Sequence, residues 1–143
     1  MKVNILAVGD ISGQAGVDIL SEKLRSIKKH YDIAAIGARS GDGPMYNNVN
    51  ADMVICSDGA RTPSAGSGVY ISCGMSPKAT LSFSSVSDTD ALLSINRDIP
   101  IGDKLLQRGE KRVALLPKLS LYDNLVLNAL SFLSVGLDSA GFA

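Results

Sequence analysis

The amino-acid sequence predicts an α/β fold, in which a short parallel sheet with an N-terminal helix precedes an antiparallel β-meander and a C-terminal helix. Over residues 1–60, short apolar runs and glycine-rich turns surround one helical stripe. Over residues 61–143 the apolar period shortens to two, and helical spacing returns only near the C-terminus. Hydrophobic residues make up 45% and charged residues 20% of 143, which is typical of a single globular domain spanning residues 1–143.

The first half has the order strand, turn, helix and strand. An apolar run at residues 3–8 predicts a strand that is buried on both faces. An apolar stripe at helical spacing follows it, consisting of Val17, Leu20, Leu24 and Ile27. Two more apolar runs, at residues 33–36 and 53–56, predict further strands. This order is typical of a right-handed βαβ unit, so we expect residues 1–60 to form a Rossmann-like half.

The second half begins with a loop rich in proline, glycine and serine. Residues 70–73, 79–83 and 91–95 predict three strands, and the turn residues between them predict that these strands are antiparallel. The polar segment at residues 97–112 is expected to be a solvated loop. A final helix is expected to begin after Ser120, whose hydroxyl caps it, and to end at Gly136.

Charge and rare residue types exclude several function classes. Fourteen basic residues balance fourteen acidic ones, so neither nucleic acid nor a membrane is an expected partner. The one histidine, His30, is expected to be a solvated residue at the end of the first helix, and no catalytic residue, metal site or cofactor is predicted. Cys56 and Cys73 lie in apolar runs and are expected to be buried free thiols. Since we recognise no targeting segment, we expect a cytoplasmic protein.

The strongest chemical candidate is the turn between the first strand and the first helix. Its glycines, Gly9, Gly13 and Gly16, would let backbone amides approach a phosphate at the helix N-terminus. The spacing departs from the dinucleotide fingerprint and lacks the lysine of a P-loop. We predict a ligand site from Asp10, Gly13 and Gly16, near Asp58 at the carboxyl ends of the parallel strands. A generic strand-to-helix turn is the alternative.

The same turn resembles the opening of calcineurin-like metallophosphoesterases, which carry a Gly-Asp pair between their first strand and helix. The resemblance covers roughly the first forty residues. It implies that Asp10 is a ligand of a two-metal centre that generates hydroxide. The acidic-asparagine pair of that family is replaced here by residues 37–41, and its histidine ligands have no counterpart in a chain with one histidine.

Residues 51–137 resemble the closing third of the Mur ligase central domain. The shared order is a strand ending in Asp58, a strand ending in Gly74, a small antiparallel sheet, and a helix carrying Asn124 and Asn128. In that family the acidic residue contacts the nucleotide ribose and the helix residues flank the adenine. The resemblance therefore implies nucleotide-binding roles for Asp58 and Asn128, whereas Asn124 stands where the family has histidine. The P-loop lysine and magnesium ligands are missing, so no ligase activity is expected.

These observations predict a non-catalytic, Mur-ligase-like domain that binds a small molecule, such as a nucleotide or phosphate, or a protein partner. The predicted ligand-binding residues are Asp10, Gly13, Gly16, Asp58 and Asn128. Two alternatives stay open. One is a degenerate metal-dependent phosphoesterase, and the other is a structural module that forms a homodimer through the exposed faces of its meander.

Overall fold

The chain divides into two compact units. The structure is a computed structural model that describes residues 3–12, 14–39, 49–57, 69–101 and 104–139. The N-terminal unit comprises residues 4–72, and the C-terminal unit comprises residues 73–143 together with residues 1–3. The first unit has parallel strands, and the second has antiparallel strands followed by a helix. The α/β class and the C-terminal helix predicted from the sequence are therefore confirmed.

The N-terminal unit is built on parallel strand pairing. Its described elements are β1 (Ile5–Ser12), α1 (Gln14–Ser26), β2 (Tyr31–Arg39), β3 (Ala51–Ser57) and β4 (Val69–Cys73), the last residue of which belongs to the other unit. Both β1 and β3 pair in parallel with β2, and the strand order is β1, β2, β3, β4. Because β2 and β3 have neighbours on both sides, Ile33, Ala34 and Val54 are fully buried.

The first strand is more exposed than its apolar sequence predicts. We expected residues 3–8 to be buried on both faces, but β1 lies at the end of the strand order and Ile5 is 41% exposed. A strand with one neighbouring strand keeps one edge in contact with solvent. The apolar run therefore predicts the strand correctly, but the expected burial on both faces is wrong because the strand lies at the edge of the sheet.

The same strand also extends beyond the predicted turn. We expected Gly9 and Asp10 to begin the turn into α1, but β1 continues to Ser12, which pairs with Arg39. The register of the β1–β2 pair shifts around Gly9 and Asp10. Glycine favours such an irregularity inside a strand because it tolerates unusual backbone angles. The backbone of Asp10 therefore lies within β1.

The helix α1 packs through one apolar stripe. Leu20 and Leu24 lie four residues apart, so they share a face of the helix, and both are buried in one cluster with Ala34, Ile36 and Val54. Burying a leucine side chain stabilises a protein by roughly 1.5–3 kcal/mol. Two such residues attach α1 to β2 and β3.

The C-terminal unit is built on antiparallel pairing. Its further described elements are β5 (Leu81–Val86), β6 (Asp90–Ile95), β7 (Ile99–Ile101), β8 (Lys104–Leu106), β9 (Gly109–Ala114) and α2 (Leu121–Ser139). The strand β6 pairs with β5 on one side and with β9 on the other, both antiparallel. Between β6 and β9 in the chain, β7 and β8 form a separate antiparallel hairpin.

The polar segment at residues 97–112 is not the solvated loop that its composition predicts. It contains β7 and β8 and most of β9, and β9 pairs with β6 at six positions. Backbone pairing does not require apolar side chains, and charged residues are a common protection of strands at a sheet edge. The prediction failed because it used side-chain polarity alone.

The expected direction of the strand at residues 70–73 is also corrected. We predicted that it is antiparallel to the next strand, but Cys73 pairs with Leu81 in parallel, and the amide of Gly74 donates to the carbonyl of Leu81 at 3.1 Å. The connecting segment turns at Ser76, since the amide of Lys78 donates to Ser76 Oγ at 3.1 Å and the amide of Ala79 donates to the Ser76 carbonyl at 3.0 Å. The strand after this segment runs in the same direction as the strand before it. Cys56 and Cys73 are buried and form no disulfide bond, as predicted.

The C-terminal helix begins where the sequence predicts and ends later. Ser120 Oγ accepts a hydrogen bond from the amide of Asp123 at 3.0 Å, which is the expected N-cap. The helix includes Gly136 and ends at Ser139, so Gly136 is not its C-cap. A glycine inside a helix costs only about 1 kcal/mol relative to alanine. The packing of the preceding turns, in which Leu125 and Leu133 are fully buried, outweighs that cost.

Asn96, directly after β6, holds the start of β5 in place. Its Nδ2 donates to the carbonyl of Ala79 and to Ser82 Oγ, both at 2.9 Å, and its backbone amide donates to the carbonyl of Thr80 at 2.9 Å. Its Oδ1 accepts from Ser94 Oγ at 2.8 Å. Three bonds through one half-buried side chain therefore fix this end of the β5–β6 pair.

We predict that Asn96→Ala lowers the free energy of unfolding by about 2 kcal/mol, because a carbonyl and two hydroxyls lose their partners. Urea denaturation followed by circular dichroism measures the loss. Asn4→Ala is the matched control, since Asn4 is exposed, and its stability should change by less than about 0.5 kcal/mol. Equal unfolding midpoints for the two variants would contradict the role of Asn96.

Candidate functional site

The residues predicted at the glycine turn belong to the N-terminal half of the chain. The backbone of Asp10 lies inside β1, and its side chain lies outside the part of the chain that the structure describes. Gly16 is the third residue of α1. Gly13 and Asp58 lie outside the described residues, although Asp58 directly follows Ser57 at the end of β3. The ligand site at this turn stays a prediction.

Asn128, the fifth predicted residue, belongs to the C-terminal unit and lines a pocket there. The pocket has a volume of about 350 Å³ and opens between the β6–β9 pair, the β7–β8 hairpin and α2. Six of its lining side chains are apolar: Leu93, Ile101, Leu105, Leu106, Val113 and Phe132. The other four are Lys104, Lys111, Asn128 and Ser131. The pocket is therefore a mostly apolar cavity with a few polar groups, which is typical of small-molecule sites.

Two simple periodicities place these side chains around one space. Lys111 and Val113 are two residues apart on β9, so they share one face of the strand, and Lys111 pairs directly with Leu93 of β6. Asn128 and Phe132 are four residues apart on α2 and share one helix face with Ser131. Sequence reasoning missed both lysines because it placed residues 97–112 in a loop, where this alternation has no meaning.

Lys111 has a defined position at the pocket. Its Nζ lies 5.1 Å from the centroid of the Phe132 ring. The negative face of an aromatic ring attracts an ammonium group, with about 0.5–1 kcal/mol at exposed sites. This contact connects β9 with α2 and keeps a positive charge beside the cavity.

The hairpin wall of the pocket is held at its base. The backbone amide of Arg108 donates to Asp98 Oδ1 at 2.8 Å, and Arg108 Nε lies 3.6 Å from the same oxygen. Ile99 and Ile101 of β7 are buried. An isolated two-stranded hairpin is marginally stable in water, so this anchoring is what allows β7 and β8 to form a wall.

The two asparagines of α2 have different roles. Asn124 is 3% exposed, and its Oδ1 accepts from the amide of Leu116 at 2.8 Å. Its Nδ2 donates to the carbonyls of Leu116, Leu119 and Ser120 at 3.0–3.3 Å, so its amide is fully used in holding the segment before the helix. Asn128 donates to the carbonyl of Asn124 at 2.8 Å and lines the pocket. Of the two, Asn128 is the candidate for ligand binding.

His30 is solvent-exposed, as the sequence predicts, but it does not lie at a helix end. The helix α1 ends at Ser26, so His30 is not a residue of its last turn. The imidazole Nδ1 lies 2.7 Å from Asn50 Oδ1, and Nε2 lies 2.9 Å from Asp52 Oδ1. His30 therefore connects the segment after α1 to β3 and to the residue before it.

The partners of His30 require the protonated ring. Asn50 Nδ2 donates to the carbonyls of Lys28 and Lys29, which turns the amide oxygen of Asn50 toward His30. A carboxylate such as Asp52 only accepts hydrogen bonds, so both ring nitrogens must donate. The hydrogen bond to Asn50 and then that to Asp52 raise the pKa of His30 above its ordinary value of 6.5, against a smaller effect of burial.

Comparisons of this chain with protein-family models, curated protein sequences and solved structures found no match. Among the described residues, no three histidine, cysteine, aspartate or glutamate side chains lie close enough together to hold a metal ion. Within the same part of the chain, no helix has the length and apolar character needed to cross a membrane.

We predict that Asn124→Ala lowers the free energy of unfolding by about 2 kcal/mol, because the buried Asn124 side chain holds four backbone groups of residues 116–120. Asn128→Ala is the matched control on the same helix and should cost less than about 1 kcal/mol, since Asn128 makes one bond to its own helix. Urea denaturation of both variants measures the difference. Similar losses in the two variants would contradict the separation of roles.

We predict that the folded protein titrates its one histidine with a pKa above 6.5. NMR measures it directly, since one imidazole signal is present. Because the folded pKa is raised, the stabilisation by His30 is fully present below the unfolded pKa and is lost as pH rises through the folded pKa. The melting temperature of the wild-type protein should therefore exceed that of His30→Ala by more at pH 5.5 than at pH 8.5.

Asp52→Asn provides the control for this titration. Removing the carboxylate should move the pKa of His30 back toward its ordinary value while leaving the contact with Asn50 in place. A folded pKa at or below 6.5 in the wild-type protein would overturn the assignment of the protonated ring.

Proposed function

We propose that this chain is a non-catalytic domain that binds a small molecule in the pocket of its C-terminal unit. The observation that carries the proposal is the cavity of about 350 Å³, walled by two sheet strands, a hairpin and a helix. Small-molecule sites commonly have volumes of roughly 300–1,000 Å³ and combine apolar walls with a few polar groups. A cavity at the lower end of this range fits a small metabolite-sized ligand.

The side chains at the cavity support binding rather than catalysis. Among the described lining residues, no histidine, aspartate, glutamate or cysteine is present. General acid–base catalysis depends on a group whose pKa lies near the working pH, and lysine reaches that range only when its pKa is strongly lowered. Ser131 carries the one hydroxyl group among these residues. None of these residues is a histidine, aspartate or glutamate that could act as a general base for this hydroxyl.

The Mur-ligase-like interpretation of residues 51–137 is part of this proposal. Asn128, the helix residue that the resemblance connects with nucleotide binding, lines the cavity. The Rossmann-like interpretation of residues 1–60 is also a proposal, supported by the parallel pairing of β1 and β2 on either side of α1 in the chain. Neither interpretation requires a P-loop or a metal ion for binding.

A neutral fluorescent probe, N-phenyl-1-naphthylamine, tests the proposed function. We predict a saturable rise in its fluorescence with the wild-type protein, because the probe enters an apolar cavity. Ser131→Phe should abolish this rise by placing a ring in the cavity.

Leu127→Phe is the matched control, since Leu127 is exposed on α2 and is not among the residues that line the cavity. It should bind the probe like the wild-type protein. Absence of saturable binding to the wild type, or equal binding by Ser131→Phe, would contradict the proposal.

A further inference from the structure

We infer that the pocket of the C-terminal unit selects amphipathic anions, which carry one carboxylate or phosphate group on an apolar body. This inference rests on the proposed function and adds the chemical class of the ligand. Its basis is the charge of the residues around the cavity, their distribution between the two faces of the β6–β9 pair, and the apolar surface beneath them.

The charge around the cavity differs from that of the whole chain. The chain has equal numbers of basic and acidic residues. Among the described residues that line the cavity, two are lysines, Lys104 and Lys111, and none is acidic. The ammonium group of Lys111, which lies beside this apolar cavity, attracts anions and repels cations.

Strand geometry separates the neighbouring carboxylates from the cavity. Glu110 precedes Lys111 on β9, so its side chain points to the opposite face of the strand pair. There it accepts a hydrogen bond from Ser84 Oγ at 3.1 Å. Asp90 forms an ion pair with Arg112 at 2.9 Å. Arg112 follows Lys111 on β9, so its side chain also points to the opposite face. These acidic groups therefore do not share the face of the strand pair that carries Lys111.

The remaining lining determines the other half of the ligand. Leu105 is 54% exposed, and Val113 and Phe132 are half-buried, so the lining offers apolar surface that a ligand can cover. Each Å² of apolar ligand surface buried there contributes about 25 cal/mol. An inorganic anion would leave this surface uncovered, and a neutral apolar molecule would not use the ammonium group of Lys111.

The position of Lys111 matches such a ligand. The Phe132 ring holds the ammonium of Lys111 from one side, and the cavity lies beside the same two residues. Asn128 adds an amide group from α2. A carboxylate or phosphate at the mouth of the cavity can accept charge-assisted hydrogen bonds from these donors while its apolar body lies against Leu105 and Val113.

Displacement of bound N-phenyl-1-naphthylamine by four compounds with the same eight-carbon chain tests the inference. We predict that octanoate and octyl phosphate displace the probe at concentrations about ten-fold lower than octanol, and that octylammonium is the weakest of the four. Inorganic phosphate alone should not displace the probe. The two anions distinguish a carboxylate from a phosphate ligand.

Lys111→Met keeps the length of the side chain and removes its charge. It should weaken the binding of octanoate about five- to ten-fold and leave the binding of octanol unchanged. Lys118→Met is the control, because Lys118 is exposed and is not among the lining residues. Circular dichroism spectra of both variants should match that of the wild type.

The outcomes separate the two proposals. If the probe binds and all four compounds displace it equally, or if Lys111→Met binds octanoate like the wild type, the selection for anions is wrong and the binding function stands. If the wild-type protein does not bind the probe and octanoate produces no heat in titration calorimetry, the proposed function itself is wrong.

Discussion

The antiparallel pairing of β6 with β9 is the constraint on which the candidate site depends. It places Leu93 opposite Lys111 and Ala91 opposite Val113, so these four side chains share one face. Glu110, Asp90 and Arg112 lie on the opposite face, where Asp90 and Arg112 form an ion pair. A shift of the register by one residue would exchange the two faces and place acidic groups at the cavity.

The other walls of the cavity depend on polar groups that are fully hydrogen-bonded. Asn124 fixes the segment that leads into α2, and Asp98 and Arg108 hold the base of the hairpin. Asn96 ties the end of β6 to the start of β5. In each case a polar side chain bonds backbone groups and so fixes the local path of the chain. These residues position the site and do not line it.

Local signals were sufficient for part of this structure. The helical spacing of Leu121, Leu125, Ala129 and Phe132 and the cap at Ser120 predict α2, because both depend on neighbours within the same helix. The edge strands β1 and β9 show the opposite case, since their burial is decided by strands distant in sequence. The candidate site follows the same division. Asn128 was predicted from a motif, whereas Lys111 acquires meaning only through its pairing with Leu93 and its contact with Phe132.

The central claim is that the ligand-binding site lies in the C-terminal unit and uses the face that carries Lys111. Amide chemical-shift mapping by ¹⁵N NMR during titration with octanoate tests this most directly. The account predicts shifts that saturate and that concentrate at residues 91–93, 99–106, 111–113 and 128–132. Shifts that concentrate instead at residues 9–16 and 58 would contradict it and would place the site at the glycine turn.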